Sequence, residues 1–132
     1  MPYTISWLVE KYVILSRTIG DIAYEDLEGY NAAILALLDD GEAPVHLVRD
    51  VSQQGDFPFD PIAVRRALTY LHHAKLGLIV AYGTARKSSI FGKLLTSLAG
   101  VRMRFVRDHA DALRVLAAED VRLRVLIPDD GA

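Results

Sequence analysis

The chain has 132 residues, with 15 Lys and Arg against 17 Asp and Glu for a formal charge of −2, and no cysteine. That length suits one domain able to bury a core unaided. The missing cysteines exclude disulfides, thiolate nucleophiles and cysteine-based metal sites, and the balanced charge gives no field for nucleic acid or an anionic membrane surface. Apolar residues reach 52%, a share that leaves surface for a second subunit or a small apolar ligand. The N-terminal MPYTISWLVEK lacks the basic flank of a secretory leader. No apolar run approaches the roughly 20 residues of a membrane span. The expected location is the cytoplasm, without membrane insertion.

In chain order, Tyr3 to Glu10 alternates with Ile5, Trp7 and Val9 on one face, and Tyr12 to Thr18 is rich in β-formers. Only Glu10-Lys11 parts them, which predicts an antiparallel hairpin. Gly20-Asp21 closes the second strand, with Asp21 the expected cap of the next helix. Leu27, Tyr30, Ile34, Leu37 and Leu38 recur at helical spacing and predict a helix from about Ala23 to Leu38. Gly41 is its expected left-handed terminator. Val45 to Val48 reads as a third strand.

Asp60 followed by Pro61 signals the start of a second helix, with Ile62, Ala67, Leu68 and Leu71 on its inner face. Leu78-Ile79-Val80-Ala81 is a wholly apolar run of the kind found in central parallel strands. Ile90, Phe91, Leu94, Leu95 and Leu98 mark a third helix ended by Gly100. Val101, Met103 and Phe105 then alternate with Arg102 and Arg104 as a strand near one edge. Asp108 caps a fourth helix with Ala112, Leu113 and Leu116 inward. Val121, Leu123, Val125 and Ile127 alternate with Arg122 and Arg124. That pattern fits either a further strand or an extension of the last helix, and the valine-rich period of two favours the strand. Residues 128–132 read as a frayed tail behind a domain of residues 1–127.

The order β-β-α-β-α-β-α-β-α, with a possible extra C-terminal strand, predicts an α/β domain. Its single mixed sheet would be parallel at the centre and antiparallel at one edge, with helices on its faces.

Asp50-Val51-Ser52 at the end of the third strand, and Phe57-Pro58-Phe59-Asp60 leading into the second helix, carry a family likeness. The chain resembles the STAS domain family, which includes the anti-sigma-factor antagonists, and most of all its divergent STAS-like bacterial branch. The likeness spans roughly Ile5 to Leu116. It implies the STAS-like fold and a non-catalytic regulatory module that works through protein–protein interaction. The family's phosphorylatable serine follows the aspartate matched by Asp60, and Pro61, Ile62 and Ala63 offer no hydroxyl there. The resemblance therefore implies a module without that switch; Ser52 is the one hydroxyl between Asp50 and Asp60.

The candidate interaction surface comprises Asp50, Ser52, Phe57, Phe59, Asp60 and Pro61, with a protein partner or a second copy as its occupant. Burial of the two phenylalanines as a loop anchor is the plainer alternative to an exposed patch. A weaker candidate is the loop Gly83, Thr84, Arg86, Lys87, Ser88 and Ser89, which follows an apolar strand and opens a helix. Such a position suits a phosphate or carboxylate, although the spacing is not a Walker loop, and a solvated loop with a serine cap explains it as well. A small-molecule or lipid ligand is the remaining alternative.

No catalytic constellation is expected. His72 and His73 are neighbours that point about 100° apart on a helix, so no metal site is expected. His46 and His109 stand apart from them. Asp56 and Asp60 have turn and cap roles available, and no cofactor is implied. Arg102, Arg104, Arg107, Arg122 and Arg124 read as the wet face of edge strands.

Overall fold

The computed structural model describes residues 2–56, 60–83 and 100–127. Five strands form one sheet in sequential order: β1 (Tyr3–Val9), β2 (Val13–Gly20), β3 (Val45–Gln54), β4 (Leu76–Tyr82) and β5 (Met103–Val106). The β1–β2 hairpin is antiparallel and every later pairing is parallel. This is the mixed sheet expected from the order of elements, with the antiparallel strand at one edge. Lys11 makes the hairpin turn at a positive φ of 74°.

Crossover helices cover one face. Helix α1 (Tyr24–Asp40) joins β2 to β3; α2 (Pro61–Ala67) and a 3-10 turn (Thr69–His72) join β3 to β4. Leu27, Tyr30, Ile34 and Leu38 of α1 pack with Ile14, Val45, Leu47 and Ile79 of the sheet and with Val64, Leu68 and Leu71. Helices α3 (His109–Glu119) and α4 (Leu123–Leu126) cover the other face. There Ala112, Leu116, Leu123 and Ile127 meet Val13, Leu15, Val48, Leu78 and Val80. Strand β4 is thus buried on both sides, which is why its sequence is an unbroken apolar run. The expected helix from Ile90 to Leu98 and the tail 128–132 lie outside the described residues.

Five expectations differ from the structure. First, Asp21 does not cap α1. Ala23 holds the cap position, its N–H donating to Asp26 Oδ2 at 2.9 Å, while Asp21 Oδ1 accepts from the Asp56 N–H at 2.9 Å. Second, Gly41 ends α1 at φ −84°, an extended rather than left-handed conformation. It is glycine for want of room, because a Cβ would sit 2.6 Å from Val45 Cγ2 and 3.1 Å from the Trp7 ring. Third, a register slip between Trp7 and Val9 turns Val9 to the α3 face while Ile5 and Trp7 stay on the α1 face. Fourth, Ile62 points outward, 56% exposed, and Val64 takes the inner position. Fifth, Val121 to Ile127 forms no strand: Leu123 and Ile127, four residues apart, are buried, and Val121 and Val125 are exposed. A helical turn alone separates those pairs; a strand would align all four.

Candidate functional site

Strands β2, β3 and β4 are parallel, so their carboxyl ends lie at one edge of the sheet, where ligands and partners of open α/β folds generally bind. In register across that edge stand Arg17, Asp50 and Tyr82. Asp50 is the hub. Its Oδ1 accepts from Ser52 Oγ at 2.6 Å and from the Ser52 N–H at 3.1 Å, while Arg17 Nε lies 3.4 Å from Oδ2. Partial burial pushes the Asp50 carboxyl upward, but the Ser52 hydrogen bonds and the Arg17 charge outweigh it and hold the group below its ordinary range. Tyr82 is raised by burial and by the adjacent Asp50 charge, and its hydroxyl lies 3.0 Å from His109 Nδ1 at the start of α3. The row Arg17–Asp50–Tyr82–His109 therefore links the sheet edge to the helix behind it.

Gly83, at the end of β4, packs against Ser52 of β3. At φ +79°, it places its α-carbon so close to β3 that a Cβ would come within 2.6 Å of Ser52 Cα and Cβ and 2.7 Å of its nitrogen. The end of β4 thus rests on Ser52, which leaves no space for a side chain there.

Asp60 caps α2, Oδ1 accepting from the Ile62 N–H at 3.1 Å and the Ala63 N–H at 3.2 Å, with Pro61 in the first turn. The helix start is fully provided for, and the exposed Ile62 is held in its first turn. Phe57, Phe59, Thr84, Arg86, Lys87 and Ser88 lie outside the described residues.

The opposite face of the same edge is polar as well. Ser16, Thr18 and Arg49 follow the apolar Ile14 and Leu47 toward the carboxyl ends of their strands. Ser16 Oγ lies 2.9 Å from the Tyr30 hydroxyl, and Thr18 Oγ1 donates to Gln54 Oε1 at 2.8 Å. Arg17, Tyr30, Arg49 and Tyr70 did not stand out as site residues in the sequence, whereas Tyr82 did, at the head of the candidate loop. Their signal was their place in the strand and helix periodicity, where a polar or phenolic group interrupts an apolar stripe near its end.

The histidines separate by role. His46 is buried beneath α4, its Nδ1 accepting from the Leu78 N–H and its Nε2 facing Asp120. His73 Nε2 lies 2.7 Å from Asp39 Oδ1. Among the described residues no three His, Asp or Glu side chains converge on a possible metal position. The arginines form no continuous stripe: Arg102 pairs with Glu119, and Arg122 turns inward to Asp120 and to the carbonyl of Pro44 at 2.6 Å. No described helix is long and apolar enough to cross a membrane.

Among solved structures, the chain is similar to an uncharacterised protein of the DUF3478 family with a SpoIIAA-like fold from Shewanella loihica PV-4. Identity is 14% over 86% of this chain and 93% of that one, with a TM-score of 0.65. It is also similar to the anti-sigma factor antagonist SpoIIAA in its unphosphorylated form, at 10% identity over 91% of this chain and 97% of that one, with a TM-score of 0.58. No protein-family model matches the chain, and no curated protein matches it. The fold is SpoIIAA-like, the STAS-like architecture that Asp50-Val51-Ser52 and the Asp60 helix start suggest.

Proposed function

We propose that this chain is a non-catalytic binding module that docks a protein partner through the first turn of α2 and the adjoining end of β3. The observation that carries the reading is Ile62. It is a branched apolar side chain 56% exposed, on a helix start already capped by Asp60 and stiffened by Pro61. An exposed aliphatic group in a pre-ordered turn costs little ordering entropy on docking and gains burial. Asp50 and Ser52 close one another's hydrogen bonds at the carboxyl end of β3, so that strand end is fixed before any partner arrives. An anti-sigma factor antagonist shares the fold, which supports a role in binding another protein. The absence of any hydroxyl at Pro61, Ile62 and Ala63 supports an interaction that phosphorylation of that turn does not govern.

Affinity capture with the intact chain as bait, read by quantitative mass spectrometry, tests this. A specific protein retained by the parent and by Val125→Asp, and lost from Ile62→Asp, supports the surface. Equal retention on all three baits contradicts it.

A further inference from the structure

Arg49 is charged, central and short of partners. It sits on β3 opposite Ser16 of β2 and Ala81 of β4, on the face covered by α1 and the 3-10 turn. Its Nε is enclosed and donates to no acceptor. Among the described residues no carboxylate forms an ion pair with it. Its neighbours are phenols: the guanidinium is near Tyr70 and within hydrogen-bonding reach of Tyr30, and the two rings meet edge-on at 6.2 Å, so it is Nε that is left without an acceptor. Ser16 Oγ lies 2.9 Å from the Tyr30 hydroxyl. Burial, with Tyr30 beside it, pushes the Tyr70 phenol well above its usual range, so Tyr70 stays a neutral hydroxyl and does not supply the missing negative charge. An enclosed guanidinium is normally paired, and its planar fork matches carboxylate and phosphate oxygens. Here the groups near the fork are hydroxyls, with Ser16 opposite Arg49 across the sheet and bonded to Tyr30, and Arg49 as a whole is half-buried, not sealed.

We propose that Arg49, Ser16, Tyr30 and Tyr70 form a site for a small oxyanion, a carboxylate or a phosphate group, which accepts from Arg49 Nε and its terminal nitrogens and from the flanking hydroxyls. The site lies on the α1 face of β3. It is separate from the Asp50–Ser52 row on the other face, and it is independent of the docking surface at Ile62.

Thermal unfolding of the full chain in sodium phosphate, in sodium acetate and in sodium chloride of equal ionic strength tests it. The parent should show a saturable rise of about 5 °C at ten times the half-saturating concentration in phosphate, acetate or both, beyond that in chloride. Response to phosphate alone marks a phosphate site, and to acetate alone a carboxylate site. The rise should vanish in Arg49→Met, shrink in Tyr70→Phe and persist in Arg66→Gln. No rise beyond chloride, or an undiminished rise in Arg49→Met, overturns the proposal. Should Arg49→Met fail to fold, the Nε–Hε resonances of the ¹⁵N-labelled parent give the same answer. One must shift saturably on titration with the active anion, and arginine resonances that all stay fixed overturn it.

Discussion

His46 Nε2 lies 2.9 Å from Asp120 Oδ2 across 74 positions of chain, joining β3 to the turn before α4. The Leu78 N–H donates to His46 Nδ1 at 3.0 Å, so the ring proton is on Nε2 and points at the carboxylate. Arg122 completes the arrangement, binding Asp120 at 2.6 Å and lying 4.5 Å over the Tyr12 ring. Burial lowers the His46 pKa below 6.5 despite the pull of Asp120. A neutral, buried imidazole with a depressed pKa binds its proton more readily in the unfolded chain. The stability it contributes is complete above about pH 6.5 and is lost as the pH falls below that. Arg122 holds the Asp120 carboxyl far below its ordinary range against the opposing effect of burial. Its contribution persists until the pH falls below about 4. Urea midpoints of the parent should therefore be level from pH 8 to 7 and decline below 6.5. His46→Gln should lose about 2 kcal/mol at pH 7.5 and flatten the slope between pH 7 and 5. An unchanged slope in the variant would refute the assignment.

The helical seating of the C-terminal segment predicts a sharp contrast between two residues. Leu123 is fully buried and Val125 is 88% exposed. Leu123→Ala should cost about 3 kcal/mol by chemical denaturation, and Val125→Ala less than about 0.5 kcal/mol. A strand would place both on one face, and comparable losses would favour it.

The contact between β4 and Ser52 predicts a difference between two glycines. Gly20 and Gly83 both have positive φ, but only at Gly83 would a Cβ meet another residue. Gly20→Ala should cost about 1 kcal/mol from backbone strain. Gly83→Ala should cost about 1–3 kcal/mol more, because Ser52 must move. Equal losses in thermal unfolding would show that the ends of β3 and β4 do not touch.

The cap on α2 predicts a graded series. Asp60→Ala should lower stability by about 1 kcal/mol, and Asp60→Ser by much less, since serine also accepts from the free N–H groups of a first turn. Matched losses would indicate that the carboxylate acts by charge and not by capping.

Much of the fold is legible in the chain because its elements follow clean periods. The alternation of β1, the stripe of α1, the apolar run of β4 and the Asp-Pro start of α2 each point to what the structure contains. The errors share a cause. Val121, Leu123, Val125 and Ile127 satisfy a period of two and a partial helical period together, and only the pocket that receives Leu123 and Ile127 decides between them. Ile62 reads as core by its neighbours' spacing, yet Val64 fills the inner position. The candidate site was legible only in part. Asp50, Ser52 and Asp60 are turn-forming residues at visible element ends, whereas Arg17, Tyr82 and His109 meet only through strand register and the approach of α3. Arg49 gives only the faint signal of a cation closing the apolar run of β3, because its interest lies in what surrounds it.

The proposed docking of a protein partner at the first turn of α2 turns on the exposed side chain of Ile62. Its most direct test is the dissociation constant of the captured protein, purified, for the parent chain, Ile62→Asp and Val125→Asp. The account predicts that Ile62→Asp weakens binding at least about tenfold, while its urea midpoint stays near the parent's and Val125→Asp binds normally. Binding of Ile62→Asp at the parent's affinity would contradict it.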